Sequence, residues 1–254
     1  MTRRLPELPL AARRARLGEA LKRLPVLGRE EGQAEVALRQ DQVLDNHVLT
    51  FDLEKGETAY ARRSSLMFAS GDFHMTTERI AKRGLPLLGL FSGQNLWANR
   101  FEARGLVKII AGRDFHGTVI GLPVSGEEPV WLQPSLYLGH RGTLSFVTRR
   151  VAKREFWTLT EVTGEGTVWI KAPGRSFRQK LSSEPVIVDT NYVAAVRGDF
   201  SAHGKVFTGA QYLKSGEAEN VRLSGTGDVI IQTEVPLSAQ ASGGILGTIL
   251  DIFV

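Results

Sequence analysis

The chain has no cysteine among its 254 residues, which excludes disulfides, thiolate metal sites and thiol nucleophiles. It also lacks any apolar run near the roughly 18–20 residues that a membrane-spanning helix needs. The nearest candidate, the closing GGILGTILDIFV, is short and contains Asp251. An uninterrupted secretory core is missing too, because Arg13, Arg14 and Arg16 fall where it would have to lie. No HxH or HExxH pair links His47, His74, His116, His140 and His203, so these are expected in surface or loop positions, with no metal site and no cofactor. There is no GxSxG elbow, and no Walker lysine follows the glycines of RGLPLLGLFSGQN.

What is present is repetition. The phrases ARGLVKI, GEGTVWI and GTGDVII begin at Ala103, Gly164 and Gly225, spaced 61 residues apart. Gly105, Gly166 and Gly227 align, as do Val107, Val168 and Val229, and Ile109, Ile170 and Ile231. Alternation of Val107 and Ile109 with Lys108, and of Val168 and Ile170 with Trp169 and Lys171, predicts half-buried strands. The glycines allow a bend or the close approach of a neighbouring backbone.

A second phrase interleaves with the first: GETAYARRSSLMF from Gly56, GEEPVWLQPSLYL from Gly126 and SSEPVIVDTNYVA from Ser182. Each reads as a polar turn opening a strand. Leu49, Phe51 and Leu53 add a strand before it. Because the Gly56 phrase has no first phrase before it and the Gly225 phrase no second phrase after it, the two ends are expected to pair and close three pseudo-repeats into one body. This divides the chain into a basic arm at 1–28, helical in pattern, a single β domain at 29–235 and an apolar tail at 236–254. Glu57, Glu127 and Glu184 recur in the turns, where exposed polar residues are expected.

These phrases, with LGLFSGQNLWANRFEARG from Leu88 and GTGDVIIQT from Gly225, resemble the altered-inheritance-of-mitochondria family of TRAP-like proteins over about residues 33–235. The resemblance implies an all-β fold, a TRAP-like β-sandwich or β-prism of three pseudo-repeats. It carries no catalytic residue onto this chain, and RNA binding does not follow from kinship of fold.

The net charge of +5 belongs to the arm. Residues 1–28 hold seven basic and two acidic side chains, and the rest of the chain balances at 25 of each sign. Arg13, Arg14 and Arg16 are therefore candidates for an anionic membrane surface, with docking on the protein itself as the competing expectation. Arg149, Arg150, Lys153 and Arg154, beside Trp157, are the best local candidate for nucleic acid, although the balanced body disfavours that partner. They are expected in a loop or short helix. Leu246, Leu250 and Phe253 of the tail are candidates for self-association. The resulting expectation is a non-enzymatic, cytoplasmic scaffold or interaction module that forms homo-oligomers, with membrane-peripheral placement through the arm. An RNA-binding TRAP-like protein and a hydrolase or carbohydrate-directed enzyme are the alternatives, and any small-molecule ligand is left open.

Overall fold

The computed structural model describes residues 42–44, 47–83, 96–126, 128–152, 157–204 and 220–235. They form β-structure that is antiparallel in all but one strand pair, with single 3-10 turns at Pro134–Leu136 and Thr190–Tyr192, so the all-β expectation holds.

Among the described residues, eighteen strands follow one another in three successive units. Unit 1 contains β1 (Gln42–Leu44), β2 (Val48–Leu53), β3 (Thr58–Arg62), β4 (Leu66–Ser70), β5 (Phe73–Arg79), β6 (Ala81–Arg83), β7 (Trp97–Ala103) and β8 (Val107–Ala111). Unit 2 contains β9 (Gly117–Val124), β10 (Val130–Leu132), β11 (Tyr137–Arg150) and β12 (Thr158–Pro173). Unit 3 contains β13 (Ser176–Leu181), β14 (Val186–Asp189), β15 (Val193–Arg197), β16 (Phe200–Gly204), β17 (Asn220–Gly225) and β18 (Gly227–Gln232).

Within each unit the pairing is the same. In unit 1, β8 holds β2 and β4 while β7 holds β3 and β5. In unit 3, β18 holds β13 and β15 while β17 holds β14 and β16. Unit 2 runs the corresponding strands together, so that β12 alone holds β9, β10 and both halves of β11. In every unit the second repeated phrase therefore precedes the first, which closes the unit. This corrects the expected pairing of the chain's two end phrases: β18 pairs with β13 and β15, whereas β3 pairs with β7 and β11. The phrases were in register with consecutive units, so no end-to-end exchange is required.

A glycine bend marks the middle of each unit, at Gly71, Gly142 and Gly198, with φ of +100°, +99° and +83°. It exposes a third repeated phrase, SGDF, RGTL and RGDF. Opposite it, a Cβ on Gly166 would lie 2.1 Å from the Arg141 carbonyl oxygen and one on Gly227 would lie 1.9 Å from that of Arg197. Close backbone approach thus requires glycine there. Gly105 has open space instead, while the bend glycines approach the facing strand closely in all three units, Gly71 on the Leu106 carbonyl oxygen, Gly142 on that of Glu165 and Gly198 on that of Thr226.

Alternation decides the core, as Leu49, Phe51 and Leu53 of β2 show, all being buried. Removing each from water contributes about 1.5–3 kcal/mol. The half-buried expectation fails for β12: Trp169 and Lys171 are buried as well as Val168 and Ile170. β12 lies inside the sheet between β9 and β11, and its two faces serve different clusters, Trp169 packing with Phe51 and Leu138, Ile170 with Leu136 and Ala194. The charged segment expected as a loop or short helix is also corrected at its start, since Arg149 and Arg150 are the last residues of β11.

Two equivalent joints link successive units, beside the parallel pairing of β6 with β11 and an isolated bridge between Ala152 and Ala202. β3 joins β11 through Ala61 opposite Gly139 and Tyr60 opposite His140. β10 joins β15 through Leu132 opposite Ala195, Trp131 opposite Val196 and Val130 opposite Arg197. Each joint carries the same ion pair. Arg141, just before Gly142, meets Glu57 at 2.7 Å, and Arg197, just before Gly198, meets Glu128 at 3.5 Å.

Candidate functional site: an unmade joint and its cationic cleft

The same pattern asks for a third joint, between β14 of unit 3 and β4 of unit 1. Among the described residues neither strand has that partner: β14 pairs with β17 and β4 with β8. Both leave apolar side chains in water, with Leu66, Met67 and Phe68 39%, 65% and 49% exposed and Ile187 50% exposed. In the joints already made, an arginine precedes the bend glycine; at the corresponding place in unit 1 stands Ser70. Glu184 holds the position equivalent to Glu57 and Glu128 and so has no arginine to meet there. Glu57 and Glu128 are thus joint residues, Glu128 taking the place expected of Glu127, which lies outside the described residues.

A cleft opens beside β4, lined by Arg62, Arg63, Ser64, Met67, Arg113 and Asp114. The turn that forms its wall is tightly held. The Ser65 hydroxyl donates to the Arg62 carbonyl at 2.7 Å, and the Gly112 N–H donates to the Ser65 carbonyl at 2.8 Å. Ser64 sits at φ +65°, the one non-glycine residue with positive φ among those described, a conformation that costs on the order of 1 kcal/mol.

Three cations meet at this cleft. Arg62 Nη1 donates to the carbonyl oxygens of Pro134 and Ser135, at 3.2 and 3.1 Å, and Arg113 Nη1 donates to the same Ser135 oxygen at 2.9 Å. Behind them, Lys171 Nζ donates to the Arg113 carbonyl at 3.2 Å. The Arg113 guanidinium and the Lys171 ammonium both lie over the Phe115 ring, at 5.0 and 5.5 Å. Burial, followed by the neighbouring Arg113 charge, lowers the pKa of Arg62 to about 10 and displaces that of Lys171 downward; burial also lowers that of Arg113. Asp114 is 3.9 Å from Arg113 with its side chain 93% exposed, so it offers weak compensation.

At the first joint, inside its Arg141–Glu57 ion pair, the buried polar groups are neutral and matched. His140 stacks on Tyr60 at 4.2 Å and shares a 2.7 Å hydrogen bond with the hydroxyl of fully buried Tyr137. Burial pushes its pKa down to about 3. This corrects the expectation that all five histidines lie at surfaces or in loops. His47 and His116 do lie exposed, yet their rings stack at 5.4 Å in a second open cleft. Among the described residues no group of three histidine or acidic side chains could hold a metal ion.

The residues singled out from sequence fare differently. Arg149 is ion-paired with Glu161, and Arg150 Nε donates to the Ala152 carbonyl at 3.0 Å. Trp157 is buried with Leu159 and Val196, so its ring serves the core rather than a stacked base. Arg13, Arg14, Arg16, Lys153, Arg154, Leu246, Leu250 and Phe253 lie outside the described residues, as do the arm and the tail. Sequence reading missed Arg62, Arg113 and Lys171, which are far apart in the chain. A signal was present: the Arg62–Arg63 doublet stands where the other copies carry Gln133–Pro134 and Asp189–Thr190.

These features define an all-β repeat protein with a charged cleft and an open sheet edge. The chain belongs to the AIM24 family, described as mitochondrial biogenesis AIM24, whose model matches residues 40–234. It is similar in fold to the crystal structure of protein SPYM3_0169 from Streptococcus pyogenes, at 19% identity and a TM-score of 0.62, over 82% of this chain and 97% of that one. No curated protein matches the chain. Among the described residues, no helix is long and apolar enough to cross a membrane.

Proposed function

We propose that this protein is a non-enzymatic β-repeat interaction module that associates head to tail, the β14 edge of one copy pairing with β4 of the next. The observation that carries this reading is the pair of complementary edges belonging to the unmade joint. Continuing the register of the other two joints puts Val188 opposite Phe68, Ile187 opposite Ala69 and Val186 opposite Ser70. Association would cover the exposed Phe68 and Ile187 and satisfy two rows of backbone groups that an open edge leaves to water. The succession of three alike units also supports the TRAP-like β-prism reading of the fold.

The cysteine-free chain allows a direct test. Ala69→Cys protein mixed with Ile187→Cys protein should form the mixed disulfide in preference to either homodimer under mild oxidation. Absence of that preference, or a double variant that cross-links only within one chain, would overturn head-to-tail pairing.

A further inference from the structure

The cleft beside β4 holds more positive charge than its own residues balance. Arg62 and Arg113 on the lining and Lys171 behind Arg113 contribute three positive charges and Asp114 one negative, leaving an excess of two before the exposed Arg63 on the rim is considered. Their hydrogen bonds do not remedy this, because the acceptors are backbone carbonyls of Pro134, Ser135 and Arg113, which carry no net charge. Arg62 and Arg113 each use Nη1 for those bonds, and among the described residues no hydrogen bond engages their Nη2 atoms. Ser135, whose carbonyl receives both arginines, also has a buried hydroxyl with no partner.

The excess charge and the unused guanidinium edges have the same remedy. A doubly charged oxyanion would match the excess charge, and its several acceptor oxygens suit two guanidinium groups fixed side by side. Carboxylate supplies one charge and two oxygens, so it answers half the requirement. The strained Ser64 turn holds Arg62 and Arg63 at the cleft wall. Open access from solvent through the rim at Arg63 and Met67 lets a small molecule enter without displacing the core.

We infer that this cleft binds the dianionic phosphate group of a small molecule, with Arg62 and Arg113 as direct ligands, Arg63 closing over it from the rim and Lys171 supplying charge from behind. The ligating residues lie entirely within one chain, and the rim shares Met67 with the β4 edge.

Calorimetric titration of the full chain with inorganic phosphate, and in parallel with phenyl phosphate, tests the assignment at about pH 8, where both are mainly dianions. Saturable one-site binding is expected, absent with chloride or acetate at matched ionic strength. Arg113→Gln should weaken binding about tenfold or more, in keeping with the loss of a charge-assisted hydrogen bond. Arg63→Gln, at an exposed position that leaves folding intact, should weaken it severalfold, and Arg149→Gln should have no effect. Tighter binding of phenyl phosphate would identify a monoester as the ligand, and tighter binding of inorganic phosphate would identify the free ion. Failure of both to saturate, or equal affinity in wild type, Arg113→Gln and Arg63→Gln, would overturn the proposal.

Discussion

The two joints that form and the one that does not are built from equivalent strands, so their differences isolate what makes a joint. Where β3 meets β11, the stacked Tyr60 and His140 lie beside the Arg141–Glu57 pair. Where β10 meets β15, Trp131 packs edge-on against Phe200 beside the Arg197–Glu128 pair. The β4 edge offers Ala69 at the position of His140 and Ser70 at the position of Arg141. It thus lacks the His140 ring of the first joint and the arginine of both, while keeping Phe68 and Met67 exposed. Sheet pairing in this protein depends on side chains as well as on available backbone edges.

The largest test of this contrast is acid. His140 is neutral in the first joint, with a pKa of about 3 against about 6.5 when unfolded. Between those values the unfolded chain binds the extra proton, so this contribution is full above about pH 6.5 and is lost as pH falls towards 3. The loss amounts to roughly 4–5 kcal/mol over that window. Denaturant unfolding at stepped pH should show this slope in wild type and a shallower one in His140→Phe.

A smaller effect follows from removing the partner of His140. Tyr137→Phe leaves the buried Nδ1 without its hydrogen bond and should cost about 1–3 kcal/mol in urea unfolding at neutral pH. The ion pairs rank below it. Arg141→Ala should cost about 0.5–1 kcal/mol and Arg197→Ala about half that or less, because the second pair is longer and its carboxylate more exposed. Equal losses, or a reversed order, would show that the pairs are not what distinguishes the joints.

Much of the fold was legible from spacing. The Val–Ile alternation of β8 and the Leu49, Phe51 and Leu53 stripe of β2 report a local property, which side of a strand faces the core. The order of units was misread because the phrases mark strands, whereas a unit is defined by which strands pair, and pairing is not local. Trp169 and Lys171 went wrong for the same reason: burial of both faces of β12 depends on β9, β11 and a neighbouring unit. The cationic cleft was harder still to see. Arg62, Arg113 and Lys171 meet only after β3, β8 and β12 have been placed, and only the Arg62–Arg63 break in the repeated phrase pointed to it. The third glycine phrase was readable in principle, but its spacing of 71 and 56 residues hides it from a search at one fixed period.

The most direct test restores to the open edge what the made joints possess. Ser70→Arg places an arginine where Arg141 and Arg197 stand, opposite Glu184 of another copy. Light scattering across a concentration series should show the wild-type mass rising with concentration, and the Ser70→Arg mass rising at concentrations a few-fold lower, as one added surface ion pair allows. A mass that stays at one chain for both proteins at every concentration would contradict the account.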